Sequence, residues 1–160
     1  LRDIEGRSAL LLGKAKDNNA SCAIGPFLRL FDAGFGIDDV RQETVHLEVR
    51  GDDGFALQGV NLMKRISRDP LDIVAQTLTA HQYPDGFLLF LGTLFAPVED
   101  RDQPGGGFTH KLGDRVRIRS ARLGCLQNQV THSETAPPWQ FGLRALIGNL
   151  AARGLLTRGL

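Results

Sequence analysis

The alternation of apolar and polar side chains predicts a β-hairpin near the middle of the chain. Residues 44–50 place Val45, Leu47 and Val49 on one face and polar side chains on the other, which is typical of a strand with one buried face. A Gly-Asp-Asp-Gly turn sequence follows. Residues 55–62 are then predicted to return as the partner strand of the hairpin.

Two more strands are predicted later in the chain. Residues 115–119 alternate arginine with Val116 and Ile118, and residues 121–130 follow as another strand. The arginines share one face of the predicted strand, so they could form a basic patch for nucleic acid. We favour a solvated face or pairing with acidic side chains, because the whole chain carries a net charge of only +1.

Two segments are apolar without alternation. Residues 21–32 are predicted to form a buried strand with Pro26 at its edge or start, and residues 87–91 a strand that is buried on both faces. The second segment ends at Gly92-Thr93. A hydroxyl at the end of a buried strand, beside a glycine that permits close approach, can hold a ligand carboxylate. Local bonding of Thr93 to the backbone is the alternative.

Two helices are predicted. The first spans residues 67–80, with Asp69 as the N-cap and Pro70 in the first helical position. The second spans residues 139–153, where apolar side chains recur at helical spacing and Gly154 is suited to the C-terminal cap. We expect its apolar stripe to pack in a core or against another subunit. Together the elements predict an α+β fold that is rich in β structure.

Composition is that of an ordinary globular protein. With 160 residues, of which 42% are hydrophobic and 23% charged, the chain is long enough for a core, and we expect residues 1–160 to form a single domain. The net charge of +1 gives no case for a nucleic acid or an anionic membrane as a partner. The longest apolar stretch, residues 87–98, is too short to span a bilayer.

The two cysteines bear on the cellular compartment. Cys22 and Cys125 lie far apart in the sequence and lack the spacing of metal ligands. Both stand among small and apolar residues, which predicts buried thiols in a reducing compartment rather than a disulfide. We therefore expect a cytoplasmic protein.

Charged candidates for chemistry stand near the beginning of the chain. Arg2, Asp3 and Glu5 come within one short segment, and Lys16 follows beside Ala15. A lysine among small and apolar residues can lose part of its hydration, which lowers its pKa and suits it to proton transfer or to stabilising an oxyanion. A solvated surface lysine is the common alternative. Far from this segment, the long loop of residues 96–110 ends with Thr109 and His110, which are weaker candidates.

The order of several short motifs resembles the fumarylacetoacetate hydrolase family, most closely its branch of 2-keto-3-deoxy-arabonate dehydratases. Each motif is weak alone, but they occur in the family's order through nearly the whole chain. The motifs are RDIE at residues 2–5, AK at 15–16, GP at 25–26, FLLFLGT at 87–93, LGDRVRI at 112–118 and LGCLQNQV at 123–130.

The resemblance implies a fold and a cofactor. The fold is the family's mixed β-sandwich roll, of which this chain would be the C-terminal part of the catalytic domain. The cofactor is Mg²⁺ or another divalent cation. The family's metal-binding carboxylates, an E-x-E pair and the Asp of an N-D motif, are expected upstream of Leu1, so the resemblance assigns no metal ligand within the chain.

The resemblance also implies roles for four residues. Lys16 would transfer a proton or stabilise an enolate beside the metal, and Arg2 would be a cation near the keto acid or an organiser of the site. Glu5 and Thr93 would contact the substrate, with Thr93 bonding its carboxylate.

The implied function is a metal-dependent enzyme acting on a small 2-keto acid through an enolate. The first expectation is a dehydratase of 2-keto-3-deoxy sugar acids, in a homo-oligomer with neither nucleic acid nor membrane as a partner. A C–C bond hydrolase, or a β-keto acid decarboxylase or isomerase, is the alternative among enzymes, since the same enolate serves those reactions. A non-catalytic fragment or degenerate relative is the alternative outside enzymes.

Overall fold

The computed structural model describes residues 18–25, 27–92, 95 and 97–156. The described chain divides into two compact units. Residues 23–130 form the first, which contains all the strands of the described chain, and residues 18–22 together with 131–156 form the second.

A four-stranded antiparallel sheet forms the centre of the first unit. Its strands are β1 (Thr44–Arg50), β2 (Ala56–Leu62), β3 (Arg115–Ser120) and β4 (Gly124–Gln129), in the spatial order β2-β1-β3-β4. The predicted hairpin and both later strands are thereby confirmed. In the hairpin, Thr44 is paired with Leu62 and Arg50 with Ala56.

The small apolar core follows from the alternation in β1 and β2. Val49 of β1 and Leu57 of β2 are paired in the sheet register, and both are buried. Phe35 is also buried. On the opposite face of β1, Glu48 bonds Arg117 of β3. This contact agrees with our expectation that the β3 arginines pair with acids.

The first unit also contains two short helices. They are α1 (Ile37–Gln42) and α2 (Pro70–Thr77). Asp69 is the N-cap of α2, as predicted, because its Oδ1 accepts a hydrogen bond from the backbone nitrogen of Leu71 at 2.9 Å. Arg41 of α1 donates to both oxygens of Asp69, which ties the two helices together.

The second unit contains the helix α3 (Leu143–Ala152). It starts four residues after the predicted position, and Trp139 lies in the preceding coil with most of its side chain exposed. Its end is as predicted, because Gly154 adopts a left-handed φ of 66° and donates to Ala151, while Leu155 donates to Leu150. This pair of bonds is a Schellman motif. The apolar stripe is not buried among the described residues, so a core role for it is not borne out.

The two continuous apolar segments are not strands, so these predictions were wrong. In the described part of residues 21–32, β pairing is limited to an isolated bridge from Asp32 to Phe35, and Leu28 is 83% exposed. The described residues 87–91 also lack a strand partner, and Phe90 is 69% exposed. An apolar run becomes a buried strand only where a neighbouring backbone completes its hydrogen bonds, and the described part of the sheet offers none to these segments.

The prediction of buried cysteines was also wrong. Cys22 and Cys125 are both exposed, and neither forms a disulfide. Cys125 lies on β4, an outer strand of the sheet whose residues are mostly exposed. A thiol among small apolar residues becomes buried only where another element of the structure packs over its strand. Among the described helices, none has the length and apolar character needed to cross a membrane.

Candidate functional site

The four site residues assigned by resemblance lie outside the described residues. Arg2, Glu5 and Lys16 belong to the segment before residue 18, and Thr93 belongs to a short gap between Gly92 and Phe95. Their roles stay predictions. The described residues instead show a cluster of charges beside the β1–β2 hairpin, which the sequence did not lead us to expect.

A buried arginine forms the centre of this cluster. The side chain of Arg101 is only 2% exposed, although arginine is rarely buried. Its guanidinium donates to both oxygens of Asp114, at 2.6 and 2.9 Å, and to Asp53 at 3.0 Å from Nη2 and 3.3 Å from Nε. Nη1 also donates to the backbone oxygen of Thr109 at 3.2 Å, so all five N–H donors have an acceptor.

The two carboxylates are held in place by local backbone bonds. Asp53 stands in the β1–β2 turn, where its Oδ1 accepts from the backbone nitrogen of Phe55 at 3.1 Å. Asp114 is 1% exposed, directly precedes β3 and accepts from the backbone nitrogen of Lys111 at 2.9 Å. We call Arg101, Asp53 and Asp114 the Arg101 cluster.

Glycine at position 51 makes room for the Arg101 cluster. A Cβ atom at this position would overlap Nη2 of Arg101 and Oδ1 of Asp53, and would lie 3.1 Å from Oδ1 of Asp114. The backbone there has no left-handed φ that would itself require glycine. Gly51 is therefore needed for space, because the guanidinium packs directly on the backbone of the turn.

The loop of residues 97–113 is closed on itself around Arg101. The Asp100 carboxylate accepts from the backbone nitrogens of Gly105 and Gly107, at 2.7 and 2.8 Å. The backbone nitrogen of Arg101 donates to the Gly107 oxygen at 3.0 Å. These bonds fold the glycine-rich part of the loop into a compact turn.

Lys111 adds a bridge across the surface of the cluster. Its Nζ donates to Asp53 at 2.9 Å and to Asp102 of the loop. The bridge connects the loop to the β1–β2 turn a second time. Both carboxylates are partly exposed, so we regard Lys111 as secondary to Arg101.

Ion pairing shifts the acid–base equilibria of the cluster. Hydrogen bonds from Arg101, and then from Lys111, hold the pKa of the Asp53 carboxyl far below its usual range. The bond from Arg101 also lowers the pKa of Asp114, against the opposing effect of burial. The bond to Asp114 is the largest cause of the raised pKa of Arg101. Because the pKa values of Asp53 and Asp114 are lower in the folded protein, their ionised forms stabilise the fold at pH values above the carboxyl pKa of the unfolded chain. This contribution to stability is lost as the pH falls through the lower pKa values of the folded protein.

A second contact attaches the segment before the loop to β2. The ring of Phe95 packs so closely on Gly59 that a Cβ atom there would come within 2.5 Å of two ring carbons. Gly59 is paired with Leu47 in the centre of the hairpin. Phe95 and Arg101 are thus each in contact with the hairpin.

The structure places the two weaker candidates at the Arg101 cluster. Thr109 contributes its backbone oxygen to Arg101, and Nδ1 of His110 lies 3.4 Å from Oδ2 of Asp114. Arg101, Asp53 and Asp114 were not predicted as site residues from the sequence. Asp114 is the aspartate of the Gly-Asp motif at residues 113–114, so the resemblance contained one signal of the cluster.

A cleft of about 730 Å³ lies elsewhere in the first unit, beside the β3–β4 turn. Most of its lining is apolar, including Phe27, Phe31 and Leu126. At its edge the hydroxyl of Ser120 donates to the buried carboxylate of Glu43 at 2.6 Å. The described lining shows no further feature that would identify a ligand.

The cluster is suited to holding backbone segments rather than to binding a ligand, because every guanidinium donor is already used. Within the described ranges, no group of three or more His, Cys, Asp and Glu side chains is arranged to hold a metal ion. Comparisons with family models, curated proteins and solved structures found no match to this chain.

Proposed function

We propose that the chain belongs to an enzyme of the fumarylacetoacetate hydrolase type, which acts on a small 2-keto acid through an enolate and most closely resembles the sugar acid dehydratases. The observation that carries the proposal is the order of the sequence motifs. Two of them, at residues 112–118 and 123–130, supply the paired strands β3 and β4, which is compatible with a shared β architecture.

The proposed chemistry assigns a task to each predicted side chain. Lys16 moves the proton next to the keto group or stabilises the negative charge that forms when the proton leaves. Arg2 supplies a fixed positive charge near the keto acid. Glu5 and Thr93 contact the substrate, and the Thr93 hydroxyl donates to its carboxylate.

The cofactor is part of the same proposal. Bound Mg²⁺ would supply a Lewis acid that polarises the keto group. No group of side chains suited to hold the ion is found among the described residues, so no step is derived through the metal. A cytoplasmic homo-oligomer completes the proposal.

The assay that tests the function uses the full-length protein with added Mg²⁺. We expect it to dehydrate 2-keto-3-deoxy-arabonate in the presence of Mg²⁺. Loss of water with all carbons retained supports a dehydratase, and a shortened carbon chain identifies a hydrolase or decarboxylase. No turnover of any 2-keto acid tested would contradict the proposal.

Thr93→Val is the matched test of substrate binding. Valine keeps the shape of the side chain but cannot donate to the substrate carboxylate, so we expect KM to rise about tenfold or more, as for other hydrogen bonds to a charged group. Thr79→Val is the control, because the exposed Thr79 hydroxyl donates to the backbone oxygen of Gln76, three residues earlier. Equal KM values for the two variants would leave Thr93 without a substrate role.

A further inference from the structure

The strand β4 forms an open edge of the sheet. In the spatial order β2-β1-β3-β4 it pairs with β3, and no other strand of the described chain lies beside it. Five of its six residues are exposed. Open edges usually carry a charged side chain or a proline that prevents pairing with another chain, but the β4 sequence, GCLQNQ, contains neither. Its outer edge is therefore free to accept a further strand.

The hydrogen bonds to β3 show which residues of β4 direct their backbone groups outward. Val130, directly after β4, exchanges backbone bonds with residues 113–114 at 2.8 and 2.9 Å, so position 130 bonds inward. Bonded and non-bonded positions alternate along an antiparallel pair. The residues of β4 that direct their N–H and C=O groups away from β3 are consequently Cys125, Gln127 and Gln129.

A second copy of β4 fits this edge in antiparallel orientation. With a two-fold axis at Gln127, this residue faces its own copy, and Cys125 faces Gln129 of the partner subunit. The N–H and C=O groups of all three outward residues then form hydrogen bonds across the contact. Moving the axis by one residue would pair Cys125 or Gln129 with a residue beyond the strand, so the axis at Gln127 gives the most complete pairing.

The side chains of β4 are suited to pairing with themselves. None of them is charged, so a symmetric contact brings no like charges directly opposite each other. The amide of Gln127 has both donors and an acceptor, and it can therefore bond the identical amide across the axis. A charged peptide strand would find no opposite charge on β4 itself, which favours a second copy of this chain as the occupant.

The other outer strand, β2, is less suited to the same contact. Its central residue, Gly59, has no side chain to pair across an interface and lies against the ring of Phe95. The bond from Gly51 to Phe55 at 2.9 Å sets the alternation in the hairpin, and it directs the backbone groups of Gln58 outward. Gln58 is thus the position on β2 that matches Gln127 on β4.

We propose that two copies of the chain associate through β4 about a two-fold axis at Gln127, which joins their two sheets into one continuous antiparallel sheet. A contact of this kind uses the same surface of both copies and closes the open edge. The inference gives an interface to the homo-oligomer of the proposed function. It does not depend on the enzyme activity, because its tests measure association rather than turnover.

Disulfide cross-linking tests the register of the contact. In the proposed pairing the two Cα atoms at position 127 are about 5.5 Å apart, as in other hydrogen-bonded antiparallel pairs, which is within the range of a disulfide. We expect Gln127→Cys to give a covalent dimer on mild oxidation, in a full-length protein whose native cysteines, Cys22 and Cys125 included, are replaced by serine. Gln58→Cys in the same background is the control. Cross-linking of Gln127→Cys no greater than that of the control would overturn the proposal.

Proline substitution tests the backbone bonds. In a single sheet the N–H group of Gln127 faces solvent, where proline is tolerated, but in the dimer Gln127→Pro removes a donor from each copy. We expect the dissociation constant of the dimer to rise about tenfold or more, because two hydrogen bonds are lost and their acceptors stay unpaired. Gln58→Pro makes the same change on β2 and should leave the constant unchanged. Analytical ultracentrifugation of the full-length protein at several concentrations measures it.

Gln127→Glu covers the case in which the proline variant does not fold. Position 127 lies opposite Arg117 of β3, so a carboxylate there is compatible with the single sheet, whereas in the dimer it faces its own copy. We expect a folded protein by circular dichroism, with a dissociation constant several-fold above that of the wild type. A wild-type protein that is monomeric at every concentration, or a dimer that Gln127→Glu leaves unchanged, would overturn the proposal.

Discussion

Replacing Lys16 with methionine is expected to lower kcat by about 10²- to 10⁴-fold, while the melting temperature stays close to that of the wild type. Methionine keeps an apolar stem of similar length but removes the charge. The variant would then lack either the group that accepts the substrate proton or the cation that stabilises the resulting enolate. Steady-state kinetics on the natural gene product, together with calorimetry, measure the two quantities.

Lys14→Met is the matched control for this prediction. Lys14 is two positions away and does not keep the family's distance to Gly25-Pro26, so its loss should change kcat little. An inactive Lys14 variant beside an active Lys16 variant would show that the alignment of the motif is wrong by two residues. The assignment of Lys16 would then be abandoned.

Gly51→Ala is expected to lower the free energy of unfolding by about 1–3 kcal/mol, the usual cost of adding a methyl group where no space exists. The new Cβ would overlap Arg101 and Asp53. Either the backbone of the turn shifts, or the guanidinium moves and leaves the buried Asp114 poorly paired. Urea denaturation followed by circular dichroism measures the change.

Gly148→Ala provides the matched control, because it is the same substitution at a position with free space. Gly148 is exposed within α3, and no atom lies within 4 Å of the position its Cβ would take. We expect no loss of stability and a gain of at most about 1 kcal/mol, because alanine is favoured over glycine inside a helix. A Gly51→Ala protein as stable as Gly148→Ala would contradict the close packing of Arg101 on the turn.

The parts of the fold that could be predicted depend on local patterns. The alternation of Val45, Leu47 and Val49 defines one face of β1 without reference to the rest of the chain. Asp69 followed by Pro70 marks the start of α2 because a cap needs only the next two residues. The end of α3 at Gly154 could be predicted for the same reason, because a C-terminal cap depends only on adjacent residues.

The parts that could not be predicted depend on distant partners. The apolar runs around Leu28 and Phe90 have the composition of buried strands, but whether they pair is decided by backbone elsewhere in the chain. The environment of Cys125 likewise depends on which strand is at the edge of the sheet. Local composition contains neither piece of information.

The Arg101 cluster shows the same limit for a polar feature. Gly51 suggests an ordinary turn glycine, and nothing near it in the sequence indicates that a guanidinium from position 101 requires the space. Asp53 likewise has the character of a turn aspartate, although it also pairs with Arg101. The proposed roles of Lys16 and Thr93 come from motif order alone, so their test must be chemical.

The most direct test of the proposed enolate chemistry is deuterium exchange into a 2-keto acid, followed by proton NMR. The natural gene product is incubated in D₂O with Mg²⁺ and pyruvate, which has the keto acid group but no hydroxyl to eliminate. We expect the protein to speed the replacement of the methyl protons by deuterium, and Lys16→Met to reduce this rate greatly. Exchange no faster than in the absence of protein, at concentrations where pyruvate is shown to bind, would contradict it.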